Sequence, residues 1–203
     1  IAQANSIAAD LRFNTIKAQN YIKWANLLGL DAIVFPELFL CGNPLGDALI
    51  KFPVIVQECR KWLEVLAKLS KETKIIIGFI EENKNDTLYY NSAAILQNGK
   101  IEKIIRKTVL SNSQEAHDSR YLKPFSKENT IRNTIIGNKT VNITIGDEVL
   151  DTDITADYAI NISASVSRTN KEFTKNQQLS KIAKKYKTPL IYVNHVGSSD
   201  CLS

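Results

Sequence analysis

Two charged residues stand where folded chains commonly do chemistry. Glu37 closes the apolar run DAIVFPEL, which puts a carboxylate at the C-terminal edge of a buried strand, where α/β folds gather their sites. Lys107 follows the apolar stretch IEKIIR and offers an ammonium at a similar position. Such groups hold or move protons beside a reacting bond. Read alone, each is more simply a surface charge at the end of a strand. Cys41, Cys59 and Cys201 supply thiols, but none lies in a recognisable nucleophile motif. Cys41, close to the FPEL strand in sequence, reads first as a small core hydrophobe. His117 and His195 have no second His, Cys or acid at ligand spacing, which argues against a metal site. His195, ending a strand within VNHVG, is expected to be a hydrogen-bonded structural histidine.

The elements that must position these groups are drawn from 203 residues, 44% of them hydrophobic, with 8 Gly and 5 Pro. That suffices for one sizeable core in a single domain spanning 1–203. No run approaches the ~20 apolar residues of a membrane helix. Three cysteines, odd in number and widely spaced, argue against a disulfide framework and for a reducing, cytoplasmic compartment. The net charge of +5 comes from 26 Lys and Arg against 21 acids, with lysines scattered along helices. A solvated surface explains it better than a nucleic-acid groove.

The pattern alternates. A short strand at IAQANSI leads to a helix over 13–29, with Ile16, Ala18, Ile22, Ala25 and Leu28 as its apolar stripe. DAIVF suits a buried strand, and a long helix follows from about Pro53 to Ser70. KIIIGFIE, LYYNSAAILQ and KIEKIIRKTVL read as strands, the last two joined by an Asn-Gly hairpin turn. Residues 111–132 are polar and irregular. VNITIG, YAINISAS and PLIYVNHVG are three further strands, with a lysine-rich helix over 169–187 between the last two. Strands alternating with helices, plus a hairpin, indicate α/β with mixed sheets.

Taken together, VFPELFLCGNPLGDALI, LYYNSAAILQNGKIEKIIRKTVLSN, DSRYL, NISAS and PLIYVNHVGSSD occur in the order found in the nitrilase (carbon–nitrogen hydrolase) superfamily. The GNPLGD segment and the closing VNHVGSSD look most like its branch of glutaminase domains in glutamine-dependent NAD synthetases. The resemblance covers nearly the whole chain. It implies a four-layer α-β-β-α sandwich of two mixed sheets, and a Glu-Lys-Cys triad in which thiolate attack on an amide releases ammonia and leaves a thioester. Glu37 matches the family's general base, and Lys107 its oxyanion-stabilising lysine. The cysteine belongs in a stretch resembling ICEDIW, which aligns without gaps to 145–150 and puts Gly146 at the nucleophile position.

Other departures surround the same place. The loop that shapes the family's glutamine pocket matches 111–122, where the expected aromatics are Ser113 and Ala116 and the expected glutamate is Asp118. Ser113, with Ser163 and Ser165 of NISAS, is the substrate-side residue set the resemblance implies. Only 14 residues separate Gly146 from Asn161, where the family usually has room for a short helix. The expectation is a retained fold whose amide-cleaving centre has decayed, kept as scaffold or interface, with glutamine binding doubtful. Alternatives are an active amidase using Cys41, Ser163 or Ser165, and a non-catalytic amide-binding module. The resemblance further implies self-association through helical faces; Trp24 and Trp62, on the expected helices, fit either such an interface or core packing. It also implies a synthetase domain in cis or trans, outside this chain, before which the sandwich itself stops short. No cofactor is expected in this domain; ATP and Mg belong only to that separate synthetase domain.

Overall fold

A computed structural model of the chain describes residues 1–111, 118–165 and 169–197. Its elements form two four-stranded sheets packed face to face. The first sheet has the order β1 (Ala32–Val34), β2 (Lys74–Glu81), β3 (Tyr90–Gln97), β4 (Lys100–Arg106). In it β1 and β2 run parallel, while β2–β3 and β3–β4 are antiparallel. The second sheet has the order β5 (Asn133–Ile136), β6 (Lys139–Ile145), β7 (Tyr158–Ile162), β8 (Leu190–Val193). There only β5–β6 is antiparallel. Both sheets are therefore mixed.

Strand alternation builds the layers. In β2, Ile75, Ile77 and Phe79 face the helices, whereas Ile76 points to the other sheet; in β3, Ala94 and Leu96 face out while Ala93 and Ile95 face in. The inward set meets Val141, Ile143 and Ile145 of β6 and Ile160 and Ile162 of β7 to form the inter-sheet core. Helices α1 (Leu11–Leu27) and α3 (Val54–Ala67) cover the first sheet, α3 burying Ile55, Val56, Cys59, Leu63 and Leu66 along one face. The four-residue α2 (Ala48–Lys51) precedes α3, and α4 (Thr169–Tyr186) covers the second sheet through Leu179 and Ile182. The result is the expected α-β-β-α sandwich.

Some elements differ from the sequence reading. The N-terminal IAQANSI buries Ala2, Ala4 and Ser6 in alternation but forms no strand, because its backbone tie to β1 is the single bond from Ala2 N to Val34 O (2.8 Å). Helix α1 starts earlier, at Leu11, where the Asp10 carboxylate caps Phe13 N (2.9 Å). Its buried face is Leu11, Asn14, Thr15, Ala18, Ile22 and Ala25; of the expected stripe Ala18, Ile22 and Ala25 are buried, whereas Ile16 and Leu28 are exposed. Asn14 tolerates burial because its amide bonds Ile7 N, Ile7 O and Leu40 O. The strand β5 was not anticipated. The short interval after Gly146 also holds a helical piece, a 3-10 turn over Gly146–Leu150.

Candidate functional site

Glu37 is held from three sides. Its backbone follows β1 and lies directly on β2 at Gly78, where any side chain would collide: a Cβ there would sit 2.3 Å from Leu38 N and 2.6 Å from Glu37 Cα. Gly78 N donates to Pro36 O (3.2 Å) and Leu40 N to Gly78 O (3.0 Å), which pins the FPEL turn to the sheet. Leu38 takes φ 55, a left-handed conformation that costs a leucine and is found where function holds it. His195 Nε2 donates to the Glu37 carbonyl (2.7 Å), which places the imidazole proton on Nε2 and leaves Nδ1 facing Ser6 Oγ (3.4 Å).

The buried carboxylate of Glu37 then collects donors from both sheets. Oε1 accepts from Lys107 Nζ (2.8 Å) and from Asn91 Nδ2 (2.8 Å) on β3; Oε2 accepts from the backbone N–H of Ala164 (2.9 Å), just past β7. Lys107 lies immediately after β4 and is buried too; its Nζ also donates to Asp118 Oδ2 (3.2 Å), which accepts in turn from Ser111 N (3.1 Å). Burial alone would lower the Lys107 ammonium, but the carboxylates of Glu37 and Asp118 more than offset it and hold the group charged, above the usual lysine range. Burial pushes the Asp118 carboxyl up, against the pull of Lys107.

Gly146 stands at the end of β6 with φ +62. A Cβ built on it would point straight at the pair, 3.1 Å from Lys107 Nζ and Cε and 3.3 Å from Glu37 Oε2. The Gly146 carbonyl is clamped by Asn161 Nδ2 (2.9 Å), which also donates to Thr144 Oγ1 (2.9 Å). Two residues on, the fully buried Glu148 accepts from Ile145 N (2.7 Å) and Thr108 N (2.8 Å) and pairs with Arg132 (2.5 Å). One side chain thus ties the residue before Gly146 to the residue after Lys107.

The structure therefore brings together Glu37, Lys107, Asp118 and Gly146. Ser163 and Ser165 flank Ala164, whose N–H reaches Glu37; Ser163 is buried, and Ser165 exchanges backbone bonds with the Asn194 amide (3.0 and 2.8 Å). Ser113 lies outside the described residues. Cys41 does not join the group: its thiol donates to Leu38 O (3.4 Å) within the apolar core, beside Cys59, whose thiol burial pushes up. Asn91, Asn161, Gly78 and Glu148 were missed as site residues, although Asn91 lies in YNSA and a glycine inside the apolar run KIIIGFIE signals close backbone approach. Among the described residues no group of three or more His, Cys, Asp or Glu is arranged to hold a metal, and no helix is long and apolar enough to cross a membrane.

A two-sheet sandwich with helices outside and a buried Glu–Lys pair at the strand ends defines a nitrilase-like α/β protein. The carbon-nitrogen hydrolase family model matches residues 1–167, and the chain belongs to that family. Among curated relatives it is 30% identical over 211 residues to a glutamine-dependent NAD(+) synthetase of Thermotoga maritima, covering 98% of this chain and 35% of the relative. It is 26% identical over 226 residues to that of Synechocystis, covering 100% and 40%. The chain thus spans well under half of these relatives. In fold it is similar to the glutamine-dependent NAD+ synthetase of Acinetobacter baumannii (TM-score 0.85, 22% identity, 100% of this chain and 39% of that one). It is also similar to an amidase from Nesterenkonia (TM-score 0.79, 14% identity, 97% and 74%). One solved variant of that amidase carries acrylamide added at its active-site cysteine.

The His195 contact carries a pH prediction. Burial lowers this imidazole below its ordinary value of 6.5. A depressed folded value means the unfolded chain binds the proton first, so the contribution is fully present above about pH 6.5 and is lost as the pH falls below it. Denaturant midpoints at pH 7.5 and 5.5 should therefore fall more steeply for the natural chain than for His195→Gln. Equal slopes would show that the imidazole does not titrate against folding.

Proposed function

We propose that this chain is the glutaminase-type portion of a glutamine-dependent NAD synthetase, unable to cleave glutamine itself and retained as a scaffold for the synthetase portion. The observation that carries this reading is Gly146: a Cβ at this position would be aimed at both Glu37 and Lys107, and glycine bears no side chain there. Amide cleavage by this family's chemistry needs an atom that bonds to the amide carbon while a base takes its proton and a cation faces the oxyanion. Glu37 is placed to take a proton, and the Lys107 ammonium is held charged beside it. Glycine supplies nothing to form the thioester. Asp118 holds Lys107 from the far side, and the Ala164 N–H keeps Oε2 of Glu37 turned toward Gly146.

A working amidase built on Cys41 has less support, because that thiol is bonded into the core next to Cys59. On this reading the synthetase portion draws on free ammonia in the cytoplasm, and ATP and Mg are its requirements alone. The test is ammonia release from glutamine by the purified chain. The expected result is no release above the uncatalysed background, unchanged by thiol alkylation. Release at an enzymatic rate overturns the proposal.

A further inference from the structure

Cys41 and Cys59 come together in the core, away from the amide site. Leu40 N donates to Gly78 O (3.0 Å), which lays the turn after Glu37 against β2 two residues from Ile80. Cys59, in the middle of α3, reaches the same place from the helical layer. Its sulfur accepts the Ile80 N–H and is hydrogen-bonded to the Cys41 thiol. Both residues are 0% exposed. A single buried cysteine is ordinarily a small hydrophobe, but two whose sulfurs adjoin can be joined as a disulfide. Joining these two strands no polar group. The Cys41 thiol donates to Leu38 O (3.4 Å), but that carbonyl also accepts from Gly42 N (2.8 Å) and keeps this partner once the thiol proton has gone. The sulfur at 59 remains an acceptor for Ile80 N–H after oxidation.

Burial selects the oxidant. A site with no exposed sulfur turns away bulky thiol reagents and favours a molecule as small as hydrogen peroxide. One thiol, as thiolate, attacks the peroxide O–O bond and becomes a sulfenic acid, releasing water; the second thiol then displaces the sulfenic oxygen as a second water and closes the S–S bond. Two thiols and one peroxide become one disulfide and two waters, so the sulfurs are oxidised and the peroxide oxygens reduced. Cys41, on a turn outside any helix or strand, is placed to react first. Burial pushes the Cys59 thiol up, which suits it to the second step. The bond closes the segment 42–58, which carries Asp47. That carboxylate accepts from Tyr121 Oη (2.6 Å) and pairs with Arg120 (3.3 Å), both just past Asp118, the acid that holds Lys107. A disulfide there ties the rim of the amide site to α3.

We infer that Cys41 and Cys59 are a peroxide-responsive pair, whose reversible disulfide clasps the turn after Glu37 to α3. The inference rests on the two thiols and is independent of whether the amide site turns over. The test uses Cys201→Ser, which leaves only these two of the three cysteines, kept folded at room temperature in millimolar hydrogen peroxide. Both thiols should become inaccessible to alkylation after denaturation, and non-reducing peptide mapping should show 41 joined to 59. The thermal midpoint should rise by about 5–10 °C, as expected for a bridge closing a loop of this length, and dithiothreitol should reverse all three changes. Adding Cys41→Ala or Cys59→Ala should abolish both the linkage and the rise. Thiols still free after hours of treatment, oxidation to sulfinic or sulfonic acid without linkage, or a linked chain no more stable than the reduced one would each overturn the inference.

Discussion

Glu148→Ala is expected to remove about 3–5 kcal/mol of stability, because it strands a buried charge and several buried donors at once. Glu148 is fully buried and accepts from Ile145 N, Thr108 N, Thr108 Oγ1 and the Arg132 guanidinium. Alanine leaves Arg132 without its anion and two backbone N–H groups without acceptors in a region no water readily enters. For a chain of this size the unfolding midpoint should fall by roughly 10 °C. A smaller loss is expected when Arg132→Met accompanies Glu148→Leu, since the second change removes the orphaned guanidinium; the two should couple by at least about 1 kcal/mol in a double-mutant cycle. Additive losses would mean that the guanidinium and carboxylate do not depend on one another. The placement of Glu148 explains why the effect is large. Thr108 follows the last strand of one sheet and Ile145 ends a strand of the other, so this carboxylate fastens the two sheets together at the mouth of the site.

The individual strands and helices were legible because their signals are local, whereas their stacking into four layers followed from the family resemblance. Period-two alternation in VNITI, the short continuous apolar run KIIIGFI, the Asn-Gly turn between β3 and β4, and the one-sided stripe of α3 each announce an element within a few residues. Glu37, Lys107 and Gly146 were legible through motif order. What escaped was the set of groups that hold them, since those depend on contacts across the fold. Ala164 N–H meets Glu37 over 127 positions of sequence, and nothing in NISAS marks a backbone amide as a partner rather than its two serines. Glu148, an acid just past a strand, reads as a surface charge until Arg132 and two backbone donors are seen around it. Helix α1 misled for a different reason. Ala18, Ile22 and Ala25 face the core as the pattern suggests, but Asn14 and Thr15 take the places expected of Ile16 and Leu28, and Asn14 can be buried there because its amide bonds Ile7 N, Ile7 O and Leu40 O. Tertiary fit overrode the hydrophobic pattern.

Gly146→Cys should place a reactive thiol at the Glu37–Lys107 pair. The new Cβ would fall 3.1 Å from Lys107 Nζ and 3.3 Å from Glu37 Oε2, so its sulfur has a charged ammonium and a carboxylate as immediate neighbours. A cation at that distance favours the thiolate, and the new thiol should titrate below the ~8.5 of a free cysteine. The substitution is not free. A side chain at φ +62 costs about 1–3 kcal/mol, and Lys107 must yield by a few tenths of an ångström. Gly146→Ala bears the same backbone and steric cost without the sulfur, so it separates strain from chemistry: both variants should lose similar stability, and only the cysteine should be alkylated rapidly near neutral pH. Adding Lys107→Met to the cysteine variant should raise the thiol pKa, since burial and the Glu37 carboxylate then act unopposed, and slow alkylation by about tenfold or more, because one pKa unit corresponds to a tenfold change in thiolate. Ammonia release from glutamine should then appear in Gly146→Cys and disappear again with Glu37→Gln, the carboxylate that would carry the proton. A cysteine at 146 with an unperturbed pKa would mean that the Glu37–Lys107 pair no longer acts on that position, and that the pair persists for folding alone.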